Sequence, residues 1–142
     1  MKHSINFNWS FVKDFKEEYL SSLPENKEII NIPHTFKEIP YSYFNDLDYQ
    51  FVATYEKIFS INEDINNKVV ILRFDGFMVK AKIYLNNNYL GEHASLYVPV
   101  EIDISKYIKQ ENNRLIVVLD SKEDSNYPPF GHAVDYLTFS SI

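Results

Sequence analysis

VKAKIYLNNNYL, residues 79–90, carries the strongest fold signal in this chain. Every second residue of its first half is apolar, and the residues between them are polar or amphipathic. This period of two sends successive side chains to opposite faces of a β-strand. The three asparagines at 86–88 tolerate the left-handed backbone of a tight turn. The stretch therefore predicts a half-buried strand followed by a hairpin, with four core residues: Val79, Ala81, Ile83 and Leu85.

Other strand signals flank this hairpin on both sides. Apolar residues alternate again from Val98 to Ile104, and Pro99 restricts that strand to a sheet edge or to a start near the proline. Residues 69–74 and 115–119 are apolar on both faces apart from Arg73, so we expect both segments to be covered on both sides. Residues 50–61 form another long strand with mixed faces.

Turn signals separate these strands, and helical signals are few. Residues 62–67 and 110–113 are polar connectors, and Asp75-Gly76 is a turn or a bulge. We expect a short helix from Asp14 to Leu20 and a single turn capped by Ser105. The first forty-five residues contain three prolines and should wrap the body irregularly. Several strands at close spacing predict an all-β antiparallel sandwich, a single domain over residues 1–142.

Composition excludes several classes of protein. A chain of 142 residues fits one domain and is too short for a (β/α)₈ barrel, which needs about 200 residues or more. The net charge of −6 and the lack of a basic stripe argue against nucleic-acid partners. No run approaches the length of a membrane span, and charges interrupt the first twenty residues before any signal-peptide run. We therefore expect a cytoplasmic domain with no membrane partner.

The residues themselves assemble no complete catalytic site. There is no cysteine, the four histidines lack metal-ligand spacing, and no nucleotide-binding or nucleophile-elbow motif occurs. Glycoside hydrolysis needs two carboxylates facing each other across a cleft. Sequence alone cannot pair the candidates, and neither a cofactor nor a metal is predicted from them. The candidate carboxylates are Glu92, Glu101, Asp103, Asp120, Asp124 and Asp135.

The order of several segments is more specific than any single residue. The chain contains INIPHTF at 30–36, YEKIFSI at 55–61, the strand-rich run at 69–119 and YPPFGHAVDYLTF at 127–139. This order resembles the amino-terminal jelly-roll, or sugar-binding, domain of glycoside hydrolase family 2, which includes β-galactosidases and β-glucuronidases. The sequence departs from the family pattern at Ala94-Ser95-Leu96 and at Ser140-Ser141, where the family tends to have paired glycines.

The resemblance implies a domain of a larger enzyme. In the family an immunoglobulin-like domain and a catalytic barrel follow, and both catalytic glutamates lie in the barrel. We therefore expect this chain to be a truncated piece that is inactive alone, from a retaining β-glycosidase of the β-galactosidase type. Its partners would be those downstream domains and a β-linked carbohydrate. Asn62-Glu63 matches the family's acid/base pair in letters, but it lies in a polar connector, so the role is not transferred.

Asp135 and Tyr136 are the predicted site residues. Taken alone, Asp135 is either a loop aspartate bonded to its own backbone or a carboxylate presented by a held loop, in which Pro128 and Pro129 fix two φ angles and Gly131 permits a tight bend. Fixed carboxylates accept strong hydrogen bonds from sugar hydroxyls. The resemblance implies that Asp135 positions the terminal sugar, with Tyr136 packing beside it. In some β-galactosidases that position also helps to hold a sodium ion.

Two alternative functions stay open from the sequence. One is a free-standing carbohydrate-binding module, because jelly-rolls often bind glycans on aromatic platforms and aromatic residues make up 16% of this chain. The other is a structural domain that packs against partner domains. An exposed pair of aromatic rings would favour the first alternative.

Overall fold

The computed structural model describes residues 1–36, 42, 45–95, 98–127 and 142. Every strand pairing in these residues is antiparallel, which confirms the predicted all-β jelly-roll sandwich. The larger sheet has the order β2-β1-β3-β8-β5-β6, and the smaller one pairs β4 with β7. The strands are β1 (Trp9–Val12), β2 (Glu28–Ile30), β3 (Val52–Phe59), β4 (Ile71–Phe74), β5 (Phe77–Leu85), β6 (Asn88–Ser95), β7 (Val100–Asp103) and β8 (Asn113–Asp120).

Strand β5 supplies the centre of the core, as its alternation predicts. Val79, Ala81, Ile83 and Leu85 are all at most 1% exposed, whereas Lys82 points to solvent. The prediction for residues 115–119 is also confirmed, since all five are buried. They face the core on one side and the amino-terminal segment on the other.

The prediction for residues 69–74 is wrong. Leu72 and Phe74 are buried, but Ile71 is 47% exposed and Val69 is 74% exposed. The reason lies in the topology: β4 pairs with β7 in a two-stranded sheet, whose inner face covers the core. Within the described part of the chain, no element lies over its outer face.

The hairpin between β5 and β6 is a two-residue turn. Asn86 and Asn87 have φ values of 51° and 66°, and Leu85 pairs with Asn88. Positive φ at both central residues is the backbone of a type I′ turn. One residue, Leu90, is then inserted as a bulge, and Gly91 follows with a φ of 118°.

Two local predictions need correction. The helix expected from Asp14 to Leu20 is a single 3₁₀ turn, Glu17–Leu20. The turn after β7 forms, but its cap is Asp103, whose Oδ1 accepts from the backbone N–H of Ser105 at 2.9 Å. Ser105 instead accepts from the backbone N–H of Val70 at 2.9 Å and ties the turn to β4. Pro99 lies immediately before β7, as expected.

The amino-terminal segment wraps around the sandwich, and two of its parts are strands of the larger sheet. Strands β1 and β2 extend the larger sheet at one edge, which the sequence did not indicate. Between them the chain crosses the outer face of β3 and β8, where the Thr54 hydroxyl donates to the Asp14 carbonyl at 2.7 Å. Arg114 donates to Glu56 at 2.6 Å and to the Tyr19 carbonyl at 3.0 Å. This cross-link fixes the 3₁₀ turn over the sheet.

The helical content of the described residues is limited to two four-residue 3₁₀ turns, Glu17–Leu20 and Asp46–Tyr49. Neither has the length or the apolar character to cross a membrane.

Candidate functional site

The predicted site residues Asp135 and Tyr136 lie outside the described residues. The described part of the chain includes the two residues that flank the segment 128–141, namely Tyr127 and Ile142. Both are attached to the sandwich, by different kinds of contact. These attachments fix the positions of both flanking residues on the sandwich.

The Tyr127 end is held by a turn that starts at Asp124. The Tyr127 N–H donates to the Asp124 carbonyl at 2.9 Å, and Asp124 Oδ1 accepts from the Asn126 N–H at 3.0 Å. The other carboxylate oxygen of Asp124 accepts from Lys80 Nζ at 2.8 Å. Lys80 extends from the outer face of β5, so its ammonium group joins the turn to the strand next to the β6 edge of the larger sheet.

The charges around Lys80 reinforce this attachment. The hydrogen bond from Lys80, helped by the Asn126 N–H, lowers the pKa of Asp124 to about 2. The same hydrogen bond raises the pKa of Lys80, and Asp120 contributes at an Nζ–Oδ2 distance of 3.9 Å. Lys80 Nζ also lies 5.7 Å from the centroid of the Tyr127 ring, within the range of a cation–π contact. The pair is therefore ionised throughout the ordinary pH range.

The Ile142 end is held by backbone hydrogen bonds to His34. The His34 N–H donates to the Ile142 carbonyl at 3.1 Å, and the Ile142 N–H donates back at 3.3 Å. His34 is itself fixed, because its Nδ1 lies 3.1 Å from the Tyr55 hydroxyl and its ring packs edge-on against Phe11. Burial lowers the pKa of His34, with a smaller opposing effect from Glu28. The neutral imidazole is therefore the favoured form.

The other candidate carboxylates have local structural partners. Glu101 accepts from Arg73 at 2.9 Å, Asp103 caps the turn after β7, and Glu92 lies 4.0 Å from Lys82. Glu63 of the Asn62-Glu63 pair lies 3.2 Å from His3 Nε2 on the surface. The geometry gives each of these groups a role in holding strands and turns together.

Sequence reasoning missed the two anchoring residues. Lys80 belongs to the polar half of the β5 alternation, which indicates only that it faces away from the core. His34 belongs to a quoted motif, yet a motif does not reveal a backbone partner more than a hundred residues away. In the described residues no group of three or more His, Asp or Glu side chains is arranged to hold a metal ion. The sodium role implied for Asp135 falls outside the described residues.

The sequence match and the fold together identify the protein family. A family profile described as "Glycosyl hydrolase 2 galactose-binding domain-like" matches residues 6–128. The chain belongs to this family of domains of glycoside hydrolase family 2.

Two curated relatives and two solved structures are similar to this chain. The chain is 40% identical to a β-galactosidase of Thermoanaerobacter pseudethanolicus and 42% identical to one of Thermoanaerobacterium thermosulfurigenes, in each case over 97% of this chain. It spans about a fifth of their length: 19% and 20%. Among solved structures, a Bacteroides uniformis β-glucuronidase superimposes with a TM-score of 0.80 at 24% identity, covering 99% of this chain and 16% of that one. A β-glucuronidase of Ruminococcus gnavus gives 0.81 at 21% identity, covering 98% and 27%. At these identities, the structural matches support the fold.

Proposed function

We propose that this chain acts as the non-catalytic amino-terminal domain of a larger, retaining β-glycosidase of the β-galactosidase type. Its role there is to contribute to substrate binding at the rim of the active site. Its partners are an immunoglobulin-like domain and a catalytic barrel of the same polypeptide, together with a β-linked carbohydrate. The two curated relatives quoted above are β-galactosidases, and this supports the β-galactosidase type.

The anchoring of the segment 128–141 at both ends is the observation that carries the proposal. A loop whose two ends are fixed to a rigid sandwich loses less conformational freedom when it positions a ligand than a loop with one free end. The Lys80–Asp124 pair fixes one end and the His34–Ile142 backbone pair fixes the other. We assign Asp135, carried by this segment, to hydrogen bonding with substrate hydroxyls, and Tyr136 to packing beside it.

A chimeric enzyme tests the proposal directly. The matching fifth of the T. thermosulfurigenes β-galactosidase is replaced by this chain, and kcat/KM is measured with an aryl β-galactoside. We expect Asp135→Asn to lower kcat/KM at least about tenfold, which corresponds to about 1.4 kcal/mol of transition-state binding. The thermal unfolding midpoint should not change, because the substitution alters a hydrogen-bonding group and not the core.

Asp64→Asn is the matched control, since Asp64 is an exposed aspartate that accepts from the backbone and side chain of the nearby Asn66. It should leave kcat/KM within about twofold, as surface substitutions away from a site usually do. Equal kinetics in the Asp135 and Asp64 variants would contradict the proposed role. A gene that naturally stops after Ile142 would contradict membership in a larger enzyme.

A packing role is the second candidate, and one observation favours it. Val69, two residues before β4, and Ile71, on the outer face of β4, are 74% and 47% exposed. Exposed apolar residues on one face are typical of a surface that another domain covers. Ile71→Lys should then destabilise the chimera while leaving the isolated domain unchanged.

A further inference from the structure

Two tyrosines face each other across the β5–β6 hairpin on the outer side of the larger sheet. Tyr84 and Tyr89 are paired in register, with ring centroids 5.1 Å apart and ring planes inclined by 45°. Cross-strand aromatic pairs stabilise a hairpin, and this accounts for the contact itself. It does not require Tyr89 to be 53% exposed. The pair thus leaves a ring accessible to a ligand.

A depression of about 180 Å³ lies beside the exposed ring. The two tyrosines, Leu20 and Ile116 give it an apolar lining, and Ser21 and Asn87 add polar groups. An apolar surface with a few polar groups is the usual composition of a small-molecule site. The depression is smaller than the roughly 300–1,000 Å³ of a deep pocket, so it fits a single ring.

The charges near the depression select against an acidic ligand. Arg114 lines it, but its guanidinium already donates to Glu56 at 2.6 Å and to the Tyr19 carbonyl at 3.0 Å, so those donors are engaged within the protein. Glu17 and Glu92 lie close enough to act on Tyr84. Burial raises the pKa of Tyr84, and Tyr89, Glu17 and Glu92 raise it further. A carboxylate or sulfate entering here would have to compete with Glu56 for Arg114, whereas a neutral ligand would not.

We propose that the Tyr84–Tyr89 depression binds one neutral hexopyranose unit of an oligosaccharide. A pyranose ring has a face of C–H groups that packs on an aromatic ring. The face of the aromatic ring is the negative side of its quadrupole and attracts these C–H groups. Its hydroxyls then meet the polar side chains of Asn87 and Ser21 at the edge of the depression. Because β5 rises about 3.3 Å per residue, Tyr84 lies about 13 Å from Lys80. The depression is therefore about 13 Å along β5 from the Lys80–Asp124 pair that holds the Tyr127 end.

A nuclear magnetic resonance titration of the 142-residue chain tests this site with lactose as the probe. We expect saturable shifts of the backbone amides of Ser21, Asn87 and Tyr89, with a dissociation constant of about 1–10 mM, as a single ring in a shallow site should give. Glucuronic acid should shift these amides at least about tenfold less effectively, because it carries a charge.

Variants separate ring stacking from general effects on the hairpin. Tyr89→Ala should weaken lactose binding at least about tenfold, whereas Tyr89→Phe keeps the ring and should stay within about threefold. Tyr107→Ala is the control, since Tyr107 is also exposed, at 37%, and does not line the depression. If Tyr89→Ala fails to fold, Asn87→Gly keeps the turn, removes the polar side chain and should still weaken binding.

The result that overturns the proposal is the absence of saturable shifts at these three amides, or equal binding by the Tyr89→Ala variant. Equal affinity for glucuronic acid would overturn the choice of a neutral sugar. Asp135→Asn should leave this titration unchanged, so failure here and failure of the proposed active-site role are distinguishable.

Discussion

Lys80 Nζ lies 2.8 Å from Asp124 Oδ2, and this contact joins strand β5 of the larger sheet to the turn that ends at Tyr127. Both side chains are about one fifth exposed, so the pair is neither a free surface contact nor a deeply buried one. Its position matters more than its strength. It fixes the position of Tyr127, the described residue that precedes the segment 128–141.

Lys80→Met should therefore loosen the turn at Tyr127 without unfolding the sheet, because it removes the donor and keeps most of the aliphatic stem. Hydrogen exchange at the Tyr127 amide, which donates to Asp124, should become faster. Lys82→Met is the matched control on the same strand, since Lys82 is half exposed and lies 4.0 Å from Glu92. Equal acceleration in the two variants would contradict the anchoring role of Lys80.

The same contact has a defined pH dependence. The pKa of Asp124 is about 2 in the folded protein, below its ordinary value of 3.8. A depressed carboxyl pKa contributes stability that is present above the unfolded value and is lost as the pH falls through the folded value. Protection of the Tyr127 amide in the wild type should thus be constant above about pH 5 and decline toward pH 2.

Strand β5 could be predicted from the sequence because alternating apolar residues indicate which side chains face the core. Val79 to Leu85 alternate in polarity, and the larger sheet reproduces that alternation in burial. The turn at Asn86-Asn87 was equally readable, since asparagine tolerates the positive φ that both positions have. In these cases the local pattern and the tertiary environment favour the same structure.

Other features depend on contacts that a local pattern cannot show. Val69 and Ile71 resemble a doubly covered strand, yet their burial depends on whether another element crosses β4. Strands β1 and β2 are short, at four and three residues, and form because they pair with β3 and with each other. The attachments of Tyr127 and Ile142 join residues 44 and 108 positions apart in the sequence, and no spacing rule reaches that far.

Ile83→Ala should destabilise the protein by about 2–5 kcal/mol, as large-to-small changes do in a packed core. Ile83 is fully buried at the centre of β5, so the substitution leaves a cavity among its neighbours. Chemical denaturation monitored by circular dichroism gives the free energy of unfolding. Lys82→Ala, one residue away and pointing to solvent, should cost less than about 0.5 kcal/mol. Similar losses at both positions would mean that the strand is not oriented as described.

The two residues of the hairpin turn should respond differently to glycine. Asn86 Nδ2 donates to the Tyr107 carbonyl at 2.8 Å and to Asn113 Oδ1 at 2.9 Å, and Asn86 Oδ1 accepts from the Arg114 N–H at 2.9 Å. Its side chain thus connects the turn to β8. Asn86→Gly keeps the positive φ but removes all three hydrogen bonds, so we expect a loss of about 1–3 kcal/mol.

Asn87→Gly is the matched control for this prediction. It has a φ of 66°, close to the 51° of its neighbour, and glycine adopts both values without strain. We expect a change within about 0.5 kcal/mol, measured by the same denaturation experiment. If the two glycine variants are equally stable, the side chain of Asn86 contributes nothing beyond the turn geometry.

The stability of the whole domain should depend on His34 in mildly acidic solution. Burial lowers the pKa of His34 in the folded protein below its ordinary value of 6.5. The unfolded chain then binds a proton more readily than the folded one as the pH falls below about 6.5. The stabilisation that the neutral ring contributes is fully present above that pH and is lost as the pH falls through the lower, folded value.

His34→Gln should flatten this part of the stability profile, because glutamine has no titrating group there. The measurement is the unfolding midpoint as a function of pH between about 4 and 8, in the wild type and the variant. His3→Gln is the control: His3 is 54% exposed and contacts Glu63 on the surface, away from the core. We expect that variant to keep the slope of the wild type.

Because His34 pairs with Ile142 through its backbone, hydrogen exchange at the Ile142 amide should accelerate over the same pH range in the wild type. An unchanged slope in His34→Gln would remove His34 as the source of the acid sensitivity and leave only its backbone pairing to hold the end of the segment.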